Sequence, residues 1–141
     1  MSASAQNASY PNGRILNLAA AFAVLFGLAT VVAGGRVLFG PAEARAAAGA
    51  YVPAVLWFNF VAGFGYIALG GALGLRKRWA AGGAALMALA TAVVYLAFGL
   101  HVFGGGDHEL RTVVAMGVRT GFWITIAVLS ARHLKHRKET P

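Results

Sequence analysis

Residues 113–130, VVAMGVRTGFWITIAVLS, form an apolar block that contains a single charged residue, Arg119. A helix of about 20 apolar residues crosses the hydrocarbon of a bilayer, so this block predicts a membrane-spanning helix. Arg119 lies 13 positions before Arg132, where the last basic cluster begins, and this spacing corresponds to about 20 Å along a helix. A charge at such a depth is costly and is retained when it is paired, hydrated or used. Arg119 is therefore the first candidate site residue.

The composition of the chain supports a membrane protein. Of its 141 residues, 59% are hydrophobic and 11% are charged, whereas soluble domains carry about a quarter charged residues. The net charge of +8 comes from basic residues at the ends of apolar blocks. Such an arrangement is typical of membrane topology and leaves no soluble basic face, so we expect no binding of nucleic acid.

The chain contains no cysteine. Thiol–disulfide exchange, thiolate metal sites and thioether attachment of haem are therefore excluded. The small four-helix enzymes that couple quinones to disulfides depend on cysteine pairs, so this class is excluded too.

Four apolar blocks of spanning length follow one another and predict an all-α membrane protein. Pro41 and the run of glycines at 104–106 separate blocks, and Asp107 is a suitable N-cap for the last one. We predict helices at about 15–36, 52–75, 79–103 and 108–132 within a transmembrane domain at 14–132, between a disordered cytoplasmic tail at 1–13 and a basic cytoplasmic tail at 133–141.

The first block has an alternative interpretation as a secretory signal, because Arg14 precedes an apolar run. A cleavable signal has a shorter apolar region, followed by a site of small residues. The block is of spanning length, and residues 32–35 (VAGG) are a poor cleavage site. These features favour an uncleaved first helix, with cleavage as the alternative.

Basic residues indicate the orientation, because Lys and Arg concentrate in cytoplasmic connections. Arg14, residues 76–78 and the C-terminal basic cluster mark one side. On the other side, acidic residues dilute the positive charge. We therefore predict an antiparallel four-helix bundle with both termini cytoplasmic, in a bacterial-type inner membrane. The diluted connections contain Arg36, Arg45 and Arg111 together with Glu43, Asp107 and Glu109.

Polar residues of all four helices fall in the outer half of this predicted bundle. Arg36 and His101 end their helices there, Asn59 lies about a turn inside, and Arg119 lies deeper. We predict a candidate ligand site made of these four residues. Candidate partners in the outer connections are Glu43, Asp107, His108, Glu109 and Arg111, and we expect Glu109, Asp107 or Glu43 to pair with Arg119.

Each of these residues also has a structural interpretation. Arg36 is expected to extend to the lipid headgroups, and His101 to bond a loop carbonyl. Asn59 is equally suited to bridging two helices. For Arg119, an ion pair or a cage of carbonyl groups is the alternative to a ligand.

The donor groups fit an anionic or quinone-like ligand, for which Trp57, Phe58, Phe60, Tyr66 and Trp123 offer aromatic walls. The cluster of His101, Asp107, His108 and Glu109 does not have a recognised metal-ligand spacing, so we predict no metal site. We also predict no catalytic residue, because no nucleophile lies near a base. The favoured function is a non-enzymatic accessory or interaction protein, whose polar site in the outer half of the bundle binds such a ligand or a partner subunit. We expect a lipid bilayer around it and a homo-oligomer or a larger membrane complex as its assembly. The alternative is a redox component, with a quinone or a haem held by one histidine, or a transport component that uses His101 and Arg119.

Overall fold

The computed structural model describes the backbone of residues 11–136 and the side chains of residues 13–132. Within this range the secondary structure is entirely helical. Four of the helices, all except the second, contain a stretch that is long and apolar enough to cross a membrane. The predicted tails, 1–13 and 133–141, lie largely outside the described residues. The helices are α1 (Pro11–Phe39), α2 (Ala42–Ala48), α3 (Pro53–Gly74), α4 (Ala80–Phe103) and α5 (Leu110–His136).

The short helix α2 is not predicted by the pattern of apolar blocks. Its sequence, AEARAAA, consists of residues with high helix propensity. Pro41 precedes the helix, and Gly49 ends it with a φ of 71°, a conformation that favours glycine. Seven residues are too few to cross the hydrocarbon, so α2 is a connection between two long helices.

The long helices at the two ends of the chain extend beyond the predicted bounds. α1 begins at Pro11 rather than near residue 15, and α5 continues to His136 rather than ending near residue 132. Proline is tolerated in a first helical turn, where its missing N–H has no helical partner. After Arg132 the chain has no glycine or proline until Pro141, so nothing in the sequence stops the helix where the apolar block ends.

α1 and α3 pack closely, and glycine makes this approach possible. A Cβ atom on Gly27 would lie 2.7 Å from the carbonyl oxygen of Gly63. A Cβ atom on Gly70 would lie 2.9 Å from the carbonyl oxygen of Ala20. Because late residues of α3 meet early residues of α1, these two helices run in opposite directions.

α4 and α5 form the second closely packed pair. Phe98 of α4 and Met116 of α5 are buried against each other and against Val55 of α3. A Cβ atom on Gly117 would lie 3.2 Å from the hydroxyl oxygen of Tyr95, so α5 passes close to that side chain. The two helical pairs meet chiefly between α3 and α4.

The remaining junction, between α1 and α5, is bridged by side chains, and we call it the α1–α5 seam. The backbones of these helices come close at few points at most. The rings of Phe22 and Phe122 meet across the seam, with centroids 4.9 Å apart. Behind them, Tyr66 of α3 and Trp123 of α5 are fully buried, with ring centroids 5.1 Å apart. The interior beside the seam is therefore aromatic.

Hydrogen bonds fasten the end of the bundle that carries α2, which we call the α2 end. Glu109 Oε1 accepts a hydrogen bond from the backbone N–H of Ala50 at 3.0 Å. Arg111 Nη2 donates to the carbonyl oxygens of Ala47 and Ala48, at 2.8 Å each. The first turn of α5 and the residue just before it thus hold the end of α2 and the residues that follow.

A single arginine links α1 and α3 at the opposite end, which we call the Arg76 end. Arg76 Nη2 donates to the carbonyl oxygen of Gly13 at 3.0 Å and to Asn17 Oδ1 at 2.9 Å. Arg76 has a φ of 56°, in the left-handed region that non-glycine residues seldom adopt. This backbone conformation directs the chain away from α3 and towards α4.

Candidate functional site

Arg119 lies in the interior of the bundle. It follows the start of α5 at Leu110 by nine residues, about 14 Å along the helix axis. This depth is close to half of the ~30 Å hydrocarbon thickness. Only 6% of its surface is exposed, so the side chain does not extend to either end of the bundle.

The guanidinium of Arg119 lies against aromatic rings of two other helices. Its Cζ atom is 5.2 Å from the ring centroid of Phe26 on α1 and 5.8 Å from that of Tyr66 on α3. A cation over an aromatic face is attracted by the ring quadrupole, and more strongly where water is excluded. Three helices therefore surround this charge.

The hydrogen bonds of the guanidinium are few and weak, because one goes to a thioether sulfur and the other is long. Nη1 donates to Met116 Sδ at 3.4 Å, and Nη2 donates to Thr30 Oγ1 at 3.5 Å. Nε is buried and has no hydrogen-bond partner within the described residues. A guanidinium carries five N–H donors, so the acceptors in the bundle satisfy only part of it.

The structure does not bring any carboxylate of the described chain to Arg119. Glu109 bonds the backbone of Ala50 instead. Glu43 and Asp107 are exposed, Glu43 in α2 and Asp107 in the connection before α5. The expected pairing of Arg119 with one of these three residues is therefore not seen, because α2 and the connection before α5 lie at the α2 end while Arg119 lies in mid-bundle.

Further donors beside Arg119 lack acceptors. Neither the Tyr66 hydroxyl nor the Trp123 indole nitrogen makes a hydrogen bond of normal geometry within the part of the chain that the structure describes. Trp123 follows Arg119 by one helical turn and so lies on the same face of α5. Since buried polar groups are nearly always hydrogen-bonded, this concentration of unsatisfied donors marks the site.

Asn59 lies on the same face of α3 as Tyr66, because seven residues correspond to two helical turns. Its Oδ1 is buried and has no hydrogen-bond partner among the described residues. The two turns place it about 10 Å closer to the α2 end than Tyr66. Of the four predicted site residues, Asn59 and Arg119 thus both carry buried unsatisfied atoms, at different depths.

His101 and Arg36 lie apart from this interior. Both are exposed, each in the last turn of its helix. His101 Nε2 is 3.2 Å from the carbonyl oxygen of Asp107. This is the contact with a loop carbonyl that was expected of His101 as the alternative to ligand binding. The structure therefore does not join His101 and Arg119 in one site.

The predicted partners in the connections also stay at the α2 end. His108 Nδ1 is 2.9 Å from the carbonyl oxygen of Gly106, and its ring lies 6.5 Å from that of Phe98. Glu109 and Arg111 hold the end of α2, as described above. No group of three or more His, Asp or Glu side chains that could hold a metal ion occurs in the described range.

Sequence reasoning identified some of the residues around Arg119 and missed others. Tyr66 and Trp123 were predicted as aromatic walls, and both lie there. Phe26 and Thr30 were missed, because single uncharged residues in an apolar block give no signal of their own. Their i, i+4 spacing on α1 is the one sign that they share a face.

Comparison with known proteins adds no relative. No protein-family model matches this chain, and neither the curated proteins nor the solved structures contain a significant match.

Proposed function

We propose that this chain is a non-enzymatic accessory or interaction protein of a bacterial-type inner membrane, which binds a ligand through Arg119. The ligand presents oxygen acceptors, either an anionic carboxylate or a quinone-like carbonyl. The four spanning helices form an antiparallel bundle with both termini in the cytoplasm and the α2 end outside. The exposed basic residues Arg76, Lys77, Arg78 and Arg132 at the Arg76 end support this orientation.

The observation that carries the proposal is the incomplete bonding of a buried cation. The Arg119 guanidinium has two weak hydrogen bonds to neutral acceptors, a thioether sulfur and a distant hydroxyl, and an unsatisfied Nε. Burying a charge is costly unless it is paired and hydrogen-bonded. An oxygen acceptor beside Arg119 would supply the missing hydrogen bonds, and a carboxylate would also neutralise the charge.

The neighbouring groups support an acceptor rather than a donor as the ligand. Trp123 Nε1 is a donor only, and the Tyr66 hydroxyl is able to donate. With Arg119 Nε, they provide three donor groups that make no hydrogen bond of normal geometry within the described residues. The aromatic rings of Phe26, Tyr66 and Trp123 suit the apolar part of such a ligand.

The α1–α5 seam supports access to this site from the membrane. α1 and α5 are joined there by contacts between side chains, among them those of Phe22 with Phe122 and of Thr30 with Arg119. Phe22 is exposed, and rotation of an exposed side chain is fast and needs no rearrangement of a helix. A lipid-soluble ligand with a polar head is therefore the class that this site favours.

Fluorescence of Trp123 provides the test. In a Trp57→Phe, Trp79→Phe background, Trp123 is the only tryptophan of the chain. We would titrate the full-length protein in detergent with a brominated fatty acid, its methyl ester and a short-chain quinone, all of which quench indole fluorescence on contact. We expect saturable quenching, weakened at least tenfold by Arg119→Gln and unchanged by Arg132→Gln, the matched control at an exposed arginine of the same helix.

The pattern among the probes identifies the ligand chemistry. Quenching by the acid but not by its ester indicates an anionic ligand, whereas quenching by the quinone indicates recognition of a carbonyl. Non-saturable quenching, or equal quenching in the Arg119→Gln variant, would refute the proposal. A haem spectrum in the purified protein would instead favour the redox alternative.

The topology is tested in a separate experiment. Because the chain has no cysteine of its own, single introduced cysteines can be labelled one at a time. Ala46→Cys in α2 and Arg78→Cys at the Arg76 end would each introduce one thiol at an exposed position. We expect a membrane-impermeant maleimide to label the first in spheroplasts and the second only after permeabilisation. The reverse pattern would overturn the proposed orientation.

A further inference from the structure

A groove lies on the outside of the bundle, between α1 and α3 near the Arg76 end. It is an open groove of about 490 Å³, with walls that are almost entirely apolar. The residues that line it are Asn17, Ala20, Ala21, Val24, Leu25, Gly70 and Gly74. Neither Arg119 nor any residue that contacts it lines this groove, so the groove is independent of the proposed function.

The groove arises from the close crossing of α1 and α3. Gly70 admits the backbone of α1, since a Cβ atom there would lie 2.9 Å from the carbonyl oxygen of Ala20 and 3.0 Å from the backbone nitrogen of Val24. Gly74, one turn later, has only Ala20 Cβ within ordinary contact, at 3.7 Å. Small side chains on both helices thus leave a channel on the surface that faces the hydrocarbon, where a flexible apolar chain fits.

Basic side chains lie at one end of the groove. Asn17 lines the groove and accepts a hydrogen bond from Arg76 Nη2 at 2.9 Å. Both protein contacts of Arg76 use Nη2, so Nε and Nη1 have no bond within the described residues. Arg14 precedes Asn17 by three residues and Ala21 by seven, which places it on the same face of α1.

We propose that this groove binds an anionic glycerophospholipid. One acyl chain lies along Ala21, Leu25 and Gly74, and the phosphate lies at Arg14, Arg76 and Lys77. The argument is charge complementarity: an apolar groove ending at several basic residues matches a lipid whose hydrocarbon chain ends at an anionic phosphate. Basic sites between helices at the membrane surface select anionic headgroups in this way.

The test compares two lipids that share the same acyl chains. We would measure thermal unfolding of the delipidated full-length protein in detergent with added phosphatidylglycerol or phosphatidylcholine, and count retained lipids by native mass spectrometry. We expect phosphatidylglycerol alone to raise the unfolding temperature by several degrees, with one lipid retained per chain. Equal stabilisation by both lipids would overturn the proposal.

Substitutions test the contribution of the apolar groove and that of the basic residues to lipid binding separately. Ala21→Leu fills the groove from an exposed position, and we expect it to remove the retained lipid. Arg14→Gln with Lys77→Gln leaves the Arg76 contacts in place and should weaken lipid affinity roughly 10- to 30-fold. Matched controls are Gly82→Leu, at a position of α4 with nothing within 4 Å, and Arg132→Gln.

A second copy of this chain is the competing occupant of the groove. If Ala21→Leu converts a dimer into a monomer in light scattering and leaves the retained lipid unchanged, the groove is a protein interface and the lipid proposal is wrong. Equal loss of lipid in Ala21→Leu and Gly82→Leu would also overturn it. Retention of lipid by the Arg14→Gln, Lys77→Gln variant at unchanged affinity would refute the role of the charges.

Discussion

The guanidinium of Arg119 on α5 lies over the ring of Phe26 on α1, with 5.2 Å between Cζ and the ring centroid. The two helices barely approach each other through their backbones, so this contact helps to define how they are placed. A cation–aromatic contact of this kind contributes about 2 kcal/mol where it is desolvated. Such a contact offsets part of the free-energy cost of burying the charge. It does not supply hydrogen-bond acceptors for the N–H groups of the guanidinium.

We predict that Arg119→Leu separates stability from binding. Leucine loses the cation–aromatic contacts with Phe26 and Tyr66 but also removes the desolvation cost of a buried charge. Because these two effects oppose each other, the free energy of unfolding should stay within about 1 kcal/mol of the original. Ligand-dependent quenching of Trp123 should disappear. Arg119→Lys keeps the charge but loses the planar contacts with Phe26 and Tyr66, and should destabilise the protein more than Arg119→Leu does.

Thermal unfolding in detergent and the fluorescence titration together check this prediction. A severe loss of folded yield in Arg119→Leu, largely restored in Arg119→Lys, would show that the charge is structural. That outcome would contradict a ligand role for Arg119.

Tyr66→Phe should stabilise the ligand-free protein. The hydroxyl of Tyr66 is buried and unsatisfied, and a buried polar group without a partner costs about 1–3 kcal/mol. The same change removes a donor to the ligand, so affinity should fall about tenfold for one lost hydrogen bond. Tyr95→Phe, at a partly buried tyrosine of α4, is the control. Equal effects of the two substitutions on affinity would argue against a site at Tyr66.

Two glycines of α3 should respond in opposite ways to alanine. A Cβ atom on Gly63 would lie 2.7 Å from Val31 Cγ2 and 3.1 Å from the carbonyl oxygen of Gly27, whereas one on Gly71 would meet nothing within 4 Å. Gly63→Ala should therefore cost about 1–3 kcal/mol through overpacking. Gly71→Ala should gain about 0.5–1 kcal/mol from helix propensity. Unfolding midpoints that shift equally would mean that α1 and α3 do not cross at Gly63.

The hydrogen bonds at the α2 end should contribute measurably to stability. Glu109→Ala or Arg111→Ala removes contacts with the backbone of residues 47–50, and each should cost about 0.5–1.5 kcal/mol. Hydrogen exchange of the Ala50 amide should accelerate in Glu109→Ala, because this N–H loses its acceptor. Glu43→Ala, at an exposed residue of α2, is the matched control. Unchanged exchange at Ala50 would contradict the observed contact.

Closing the α1–α5 seam should block access to Arg119. Phe22→Cys with Phe122→Cys places the only two thiols of the chain where two rings now meet. Bridging them with a short bifunctional thiol reagent should abolish quenching of Trp123, whereas the unbridged variant should retain it. Undiminished quenching after complete bridging would show that the ligand reaches Arg119 by another route.

The long helices were predictable from the sequence because each needs an apolar block of spanning length, and such blocks are evident in the chain. α2 was not, because seven alanine-rich residues between glycines and prolines resemble an ordinary connection. The sequence did not fix the end of α5 near Arg132 for a related reason, since a helix does not have to end where its apolar block ends.

Arg119 was recognisable because a charge inside an apolar block is rare. The depth of Asn59, His101 and Arg36 suggested that they would converge with it, yet depth says nothing about which way a side chain faces. The structure directs Asn59 Oδ1 inward and leaves His101 and Arg36 exposed. Whether Phe26 and Thr30 face Arg119 depends on how α1 is rotated relative to α5. This rotation is a property of tertiary packing, and an apolar sequence alone does not reveal it.

The placement of Arg119 on the last helix has a consequence for biosynthesis. Its neighbours Phe26, Thr30 and Tyr66 belong to α1 and α3, which leave the ribosome before α5 because chains are made from the N-terminus. The first helical pair can therefore already be assembled in the bilayer when the charged segment arrives. When α5 is inserted, Arg119 can thus pack at once against residues of α1 and α3. The segment then does not have to remain in lipid with its charge exposed to the hydrocarbon.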